Sequence, residues 1–203
     1  MKKLIIKELR EHANLGIPAL VILGLLVYPK FRTFQVTQFN LGVGIQPLLS
    51  AFILNGTAVT LAVFGLILGW RQIQSEKQRD LWAFLIHRPI SRTGIFSSKV
   101  IAGLSIYLVS SILPLLFFVF YVRQPGRVLG PFEWAMALPL VANVMAGIMW
   151  YFAGVLSCLR NARKLGTATA PFAATLVINL FAIQMHVFPE FYQSAVILLF
   201  GIG

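Results

Sequence analysis

Four stretches of this sequence, residues 33–70, 100–122, 134–159 and 165–189, contain no lysine, arginine, aspartate or glutamate. Each is longer than the roughly 20 residues an α-helix needs to cross a hydrocarbon core. A water-soluble domain cannot cover so many uninterrupted apolar helices on all sides. Composition agrees, with 58% hydrophobic and 11% charged residues among 203, against roughly 45–50% and 25% in soluble domains. The expected fold class is therefore an all-α integral membrane protein, with residues 1–203 forming a single transmembrane domain.

The expected spans are residues 13–29, 47–70, 100–122, 134–159, 165–186 and 190–203, about six helices in all. The last apolar stretch, 191–203, reaches only about 20 Å as a helix, short of the roughly 30 Å core. It ends on Phe200-Gly201-Ile202-Gly203 without a polar flank, which predicts truncation in or before the last helix. No signal peptide is expected, because the basic N-terminus runs into a segment containing Glu8 and Glu11 and not into an apolar region with a cleavage site.

Lysine and arginine fall unequally on the two sides of such a bundle. The N-terminus and the loops at 71–99 and 160–164 hold thirteen of them, the alternate loops four. The positive-inside rule places the richer side, with the N-terminus, in the cytoplasm of a multi-pass protein of the cell membrane. A formal charge of +11 then marks cytoplasmic loops and contact with the lipid bilayer, and nucleic acid is not an expected partner. The single cysteine, Cys158, permits no intrachain disulfide or thiolate metal cluster, and it is read as a packing residue.

The spans contain no charged residue, so ion-coupled transport lacks its usual sequence mark. Asn55, Asn143, Asn179 and Gln184 are read as hydrogen-bonding glue between helices. Gly65 with Gly69, and Ala170 with Ala174, are spaced for close helix approach, within one chain or between two. Pro18, Pro47, Pro114, Pro139 and Pro171 bend spans without specifying a function.

Two cytoplasmic elements stand out. Residues 2–13 place Ile5, Leu9 and Ala13 on one face, with Lys2, Lys3, Lys7, Arg10 and Glu11 mostly elsewhere, which predicts an amphipathic helix over residues 1–12 lying in the membrane interface. Residues 71–99 are polar through Asp80, apolar from Leu81 to Ile86, and interrupted by Pro89, which disfavours helix at the preceding residue. Ser91 can cap a new helix leading through Lys99 into the third span. The result is a charged hairpin at the membrane surface, with Trp82 and Phe84 available for docking.

Within that loop the chain carries Glu76, then Leu85-Ile86, then Pro89-Ile90-Ser91-Arg92, then Lys99. This order resembles the permease subunits of ABC-2 type ATP-binding-cassette transporters, in which an acidic residue, an aliphatic run, Pro-x-Ser-Arg and a lysine separate the second and third spans. The chain differs from the family at Arg79-Asp80-Leu81-Trp82, where a small Gly-Thr-like pair is commoner. The resemblance implies a membrane pathway, usually for export, built with a second permease chain as homodimer or heterodimer and driven by a separate cytosolic ATP-binding subunit. It also implies that the 71–99 hairpin is the coupling surface, with Glu76, Arg79, Asp80, Trp82, His87, Arg88, Pro89, Ser91, Arg92 and Lys99 as its residues. No cofactor is expected on this chain. Gly94 to Lys99 is its nearest approach to a phosphate-cradling loop, and it lacks the second glycine and the following Ser or Thr.

Two other classes compete. A membrane enzyme would need a second histidine and an orienting carboxylate near His87-Arg88-Pro89, and neither His12 nor His186 is placed to serve, so no enzymatic activity is expected. A secondary transporter or channel would be marked by charged or broken helices at mid-membrane.

Overall fold

The computed structural model describes residues 2–41, 51–77, 92–124, 132, 134–159, 169–177 and 179. The regular structure among them is helical: α1 (Lys2–Leu41), α2 (Ala51–Lys77), α3 (Arg92–Val122), and a 3-10 turn at Trp134–Ala137 that runs into α4 (Leu138–Leu159). Residues 169–177 are helical as well. Three of these helices are long and apolar enough to cross a membrane, over Ile53–Ser75, Thr93–Val122 and Leu138–Leu159. They coincide with the second, third and fourth expected spans, so three crossings are visible among the described residues where six are expected. The fifth expected span is described only through 177 and at 179, and the sixth lies outside the described residues.

α1 departs from the expected division into an interfacial leader and a separate first span. It is one helix of 40 residues that continues past Pro18 and through Lys30 and Arg32, where a loop is expected. Lysine, arginine and glutamine are good helix formers, so a polar stretch marks where a chain can leave lipid without marking where its helix ends. The buried face also differs. Ala13 is exposed, and the inward stripe is Glu8, His12, Gly16, Ala19 and Leu23, spaced at about one residue per turn. A neighbouring helix, and not the membrane interface, selects that face.

That neighbour is α3. The closest packing joins helices that are not consecutive in the chain: α1 lies along α3, and α2 lies along α4. Both pairs are parallel. Glu8 meets Lys99 and Gly16 meets Ile106 and Ser110, while Thr57 meets Asn143 and Trp70 meets Cys158. Across the pairs the direction reverses, since Gln72 meets Lys99 and Phe64 stacks on Tyr107 with centroids 5.7 Å apart. Leu23, Ile53, Leu61, Leu68, Tyr107 and Tyr151 are fully buried where the four helices converge.

The α2–α4 contact explains the Gly65 and Gly69 spacing and places it inside this chain. A Cβ on Gly65 would fall on the Gly147 carbonyl, and one on Gly69 on the Tyr151 carbonyl; across the seam, one on Gly154 would lie 2.6 Å from the Leu66 oxygen. The backbones touch, as small residues permit between membrane helices. Polar glue closes the same seam. Thr57 Oγ1 donates to the Ile53 carbonyl (2.7 Å), and Asn143 Nδ2 donates to Thr57 Oγ1 and the Leu54 carbonyl (2.9 Å each). Ala170 and Ala174 are exposed, and Asn179 bonds within its own segment to the Thr175 carbonyl (2.9 Å).

At the far end of α3 the Arg123 guanidinium stacks over the Trp134 ring, 5.6 Å from its centroid, and Phe132 packs edge-on to the same ring. Aromatic and basic residues together are typical of a membrane–water boundary. From there back to Lys99 is about 36 Å along the helix, slightly more than the roughly 30 Å core. Lys99 therefore belongs to the opposite boundary.

Candidate functional site

At that opposite boundary the bundle encloses a layer of polar side chains contributed by all four helices. Lys99 on α3 donates from Nζ to Glu8 Oε1 on α1 at 2.8 Å, with both side chains almost wholly buried (4% and 3% exposed). Removing two charges from water is costly unless each finds a partner, so this contact fixes the register of α1 against α3. Gln72 on α2 donates from Nε2 to the Lys99 carbonyl (2.7 Å), and Tyr151 on α4 donates its hydroxyl to Gln72 Oε1 (2.8 Å). The chain of contacts thus runs Glu8, Lys99, Gln72, Tyr151. It crosses α1, α3, α2 and α4 in turn.

Gly103 makes the crossing possible. A Cβ there would overlap both the Tyr151 hydroxyl and Gln72 Oε1, so only glycine lets those two groups reach the α3 backbone. One turn along α1, His12 is buried at 6% exposure, and its Nδ1 lies 3.2 Å from the Glu8 carbonyl oxygen. Nδ1 donates to that carbonyl in the tautomer that carries its proton there. Glu8 Oε2 is buried, makes no hydrogen bond among the described residues, and sits 3.8 Å from the same imidazole nitrogen. The layer therefore holds one carboxylate, one ammonium and one imidazole in a setting of low dielectric.

Among the described residues no three histidine, cysteine, aspartate or glutamate side chains gather as metal ligands. The layer ties the end of α2 to the start of α3; the two helices take in residues 71–77 and 92–99 of the expected 71–99 loop, so residues 78–91 alone connect them. The same contacts reach α1 through Glu8 and α4 through Tyr151.

Of the residues expected to form the coupling surface, Lys99 lies in this layer. It is buried against Glu8. Glu76 falls in the last turn of α2, and Arg92 is the first residue of α3. Arg79, Asp80, Trp82, His87, Arg88, Pro89 and Ser91 lie outside the described residues. Sequence reasoning missed Glu8, His12, Gln72 and Tyr151. Only the i, i+4 spacing of Glu8 and His12 offered a local signal; the other contacts join positions 27 to 91 residues apart.

No family model matches the sequence, and no curated protein or solved structure matches it.

Proposed function

We propose that the chain is the membrane-spanning permease subunit of an ABC-2 type transporter, with six spans, a cytoplasmic N-terminus, a second permease chain as partner and a separate ATP-hydrolysing subunit docked on the 71–99 hairpin. Export is the direction this class of permease mostly serves. The observation that carries the reading is the polar layer between the helix ends that flank residues 78–91. A permease driven by a separate subunit needs a stiff path from its docking surface to its spans, and the 2.7 Å contact between Gln72 and the Lys99 carbonyl joins α2 to α3 near the ends that flank residues 78–91. The Glu8–Lys99 pair and the Tyr151–Gln72 bond then extend that junction to all four helices.

Co-expression of the tagged full chain with a cytosolic ATP-binding-cassette subunit from its own genome tests the proposal. The expected outcome is co-purification in detergent and ATP-dependent substrate movement after reconstitution. A chain that purifies alone against every such subunit defeats it.

A second reading draws on the same layer. Buried ionisable groups can mark ion-coupled transport, and Glu8, Lys99 and His12 are such groups. The layer sits at the membrane boundary, about 36 Å from Arg123 along α3, whereas ion-coupled sites lie near the midplane. Flux in liposomes by the chain alone, driven by a proton gradient without ATP, would favour this second reading.

A further inference from the structure

α1 and α2 diverge on their lipid side to leave an open apolar groove of about 330 Å³. Leu15, Pro18 and Ile22 form one wall and Val59, Val63 and Ile67 the other. The groove runs for about 10–12 Å along the helices, most of the thickness of one leaflet of a roughly 30 Å core.

The mouth of the groove carries charge on both walls. Arg71 continues the α2 wall at i+4 from Ile67 and i+8 from Val63, and it is exposed. Glu11 continues the α1 wall at i−4 from Leu15 and i−7 from Pro18, and its carboxylate is 40% exposed, with Lys7 3.8 Å away. Side chains lean toward the N-terminus of their helix. α1 and α2 run in opposite directions, so Glu11 leans out of the bilayer and Arg71 leans in, from positions three residues inside Glu8 and one inside Gln72, which both contact Lys99. Pro18 has no amide proton, so the Asn14 carbonyl beside Glu11 lacks its usual helical donor.

We propose that this groove is a binding site for one phosphatidylethanolamine molecule, its acyl chain along the α1–α2 groove, its phosphate on Arg71 and its primary ammonium on Glu11. An apolar slot of leaflet length with a cation on one lip and a carboxylate on the other matches a zwitterionic headgroup whose ammonium can donate hydrogen bonds. Phosphatidylcholine has the same charge but no N–H to donate. Phosphatidylglycerol has no ammonium at all. The inference depends on membrane insertion and not on the permease reading.

The test is lipid retention by the full chain, purified from nanodiscs containing equal parts phosphatidylethanolamine, phosphatidylcholine and phosphatidylglycerol and weighed by native mass spectrometry. One phosphatidylethanolamine should be retained, about tenfold over phosphatidylcholine, the ratio expected for one charge-assisted contact. Arg71→Gln should reduce retention of every phospholipid. Glu11→Gln should abolish the preference for ethanolamine, and Val63→Trp should exclude the acyl chain while leaving the helical circular dichroism unchanged. Equal retention of the three lipids, preference for phosphatidylglycerol unaltered by Glu11→Gln, or cross-linking of two chains through a cysteine at Val63 would each overturn the site.

Discussion

The α2–α4 seam and the polar layer hold the same bundle together by opposite means. Along the seam, Gly65, Gly69, Gly147 and Gly154 bring backbone against backbone, and the specificity is one of shape. In the layer, Glu8, Lys99, Gln72 and Tyr151 meet through long side chains, and the specificity is one of charge and hydrogen bonding. A shape-based seam tolerates no insertion but has no charge to lose. A charge-based layer reaches across wider helix separations, yet it fails badly if one member is removed. A permease of the proposed kind would use both, a close-packed pair of helices and a polar junction that ties that pair to the rest of the bundle.

Stranding one charge puts the layer to its most severe test. Lys99→Ala leaves the Glu8 carboxylate buried without its 2.8 Å partner, and losing one member of a buried pair costs about 3–5 kcal/mol. Thermal unfolding in detergent should show a larger loss than Gly65→Ala or Tyr151→Phe produces. Replacing the pair together, Glu8→Leu with Lys99→Met, should recover most of it, since apolar replacement of a whole pair is often near neutral. A double variant as unstable as the single one would mean that the layer is held by something other than this charge pair.

Against the seam the smallest possible change suffices. Gly65→Ala drives a methyl onto the Gly147 carbonyl, an overpacking cost of about 1–3 kcal/mol, because neither backbone can yield without parting the helices. Gly24→Ala is the control: among the described residues a Cβ there would meet no neighbouring element within 4 Å, so it should gain up to about 1 kcal/mol from helix propensity. If both alanines behave alike in the same unfolding assay, the seam is looser than its geometry indicates. A smaller effect is expected from Tyr151→Phe, which removes the donor to Gln72 Oε1 and should cost about 1 kcal/mol.

The two regions also differ in how far the sequence discloses them. Gly65 and Gly69 are four residues apart, so their shared face is evident from spacing alone. Their partner on α4 is not, because Gly147 and Gly154 stand seven residues apart and nothing local ties them to α2. The membrane character of α2, α3 and α4 is legible for the same local reason, an apolar run between charges. The layer is the reverse case. Glu8 and Lys99 are 91 positions apart, and a glutamate among lysines in a leader reads as amphipathic surface until a third helix is packed on it. A related ambiguity hides the end of α1: Lys30 and Arg32 signal water, and a helix passes through water as readily as a loop does.

The gentlest perturbation separates coupling from stability. Glu76 lies in the last turn of α2 and Arg92 opens α3, so both sit at the base of the proposed docking hairpin. A surface charge paired at i, i+3 or i+4 along a helix contributes only about 0.2–0.5 kcal/mol, and Glu76→Lys or Arg92→Glu should therefore leave membrane insertion, amount and unfolding temperature close to those of the parent chain. At a desolvated interface with an ATPase subunit, truncating or reversing such a charge costs about 2–5 kcal/mol of binding, a loss of roughly 30-fold or more in affinity. The expected result is a folded chain that releases the ATPase subunit, or keeps it while hydrolysis no longer drives transport. Lys99→Ala makes the contrast informative, because it should impair stability and coupling together. If Glu76→Lys and Arg92→Glu both retain full transport and full subunit association, the hairpin is a linker, and the layer behind it holds the bundle without transmitting force.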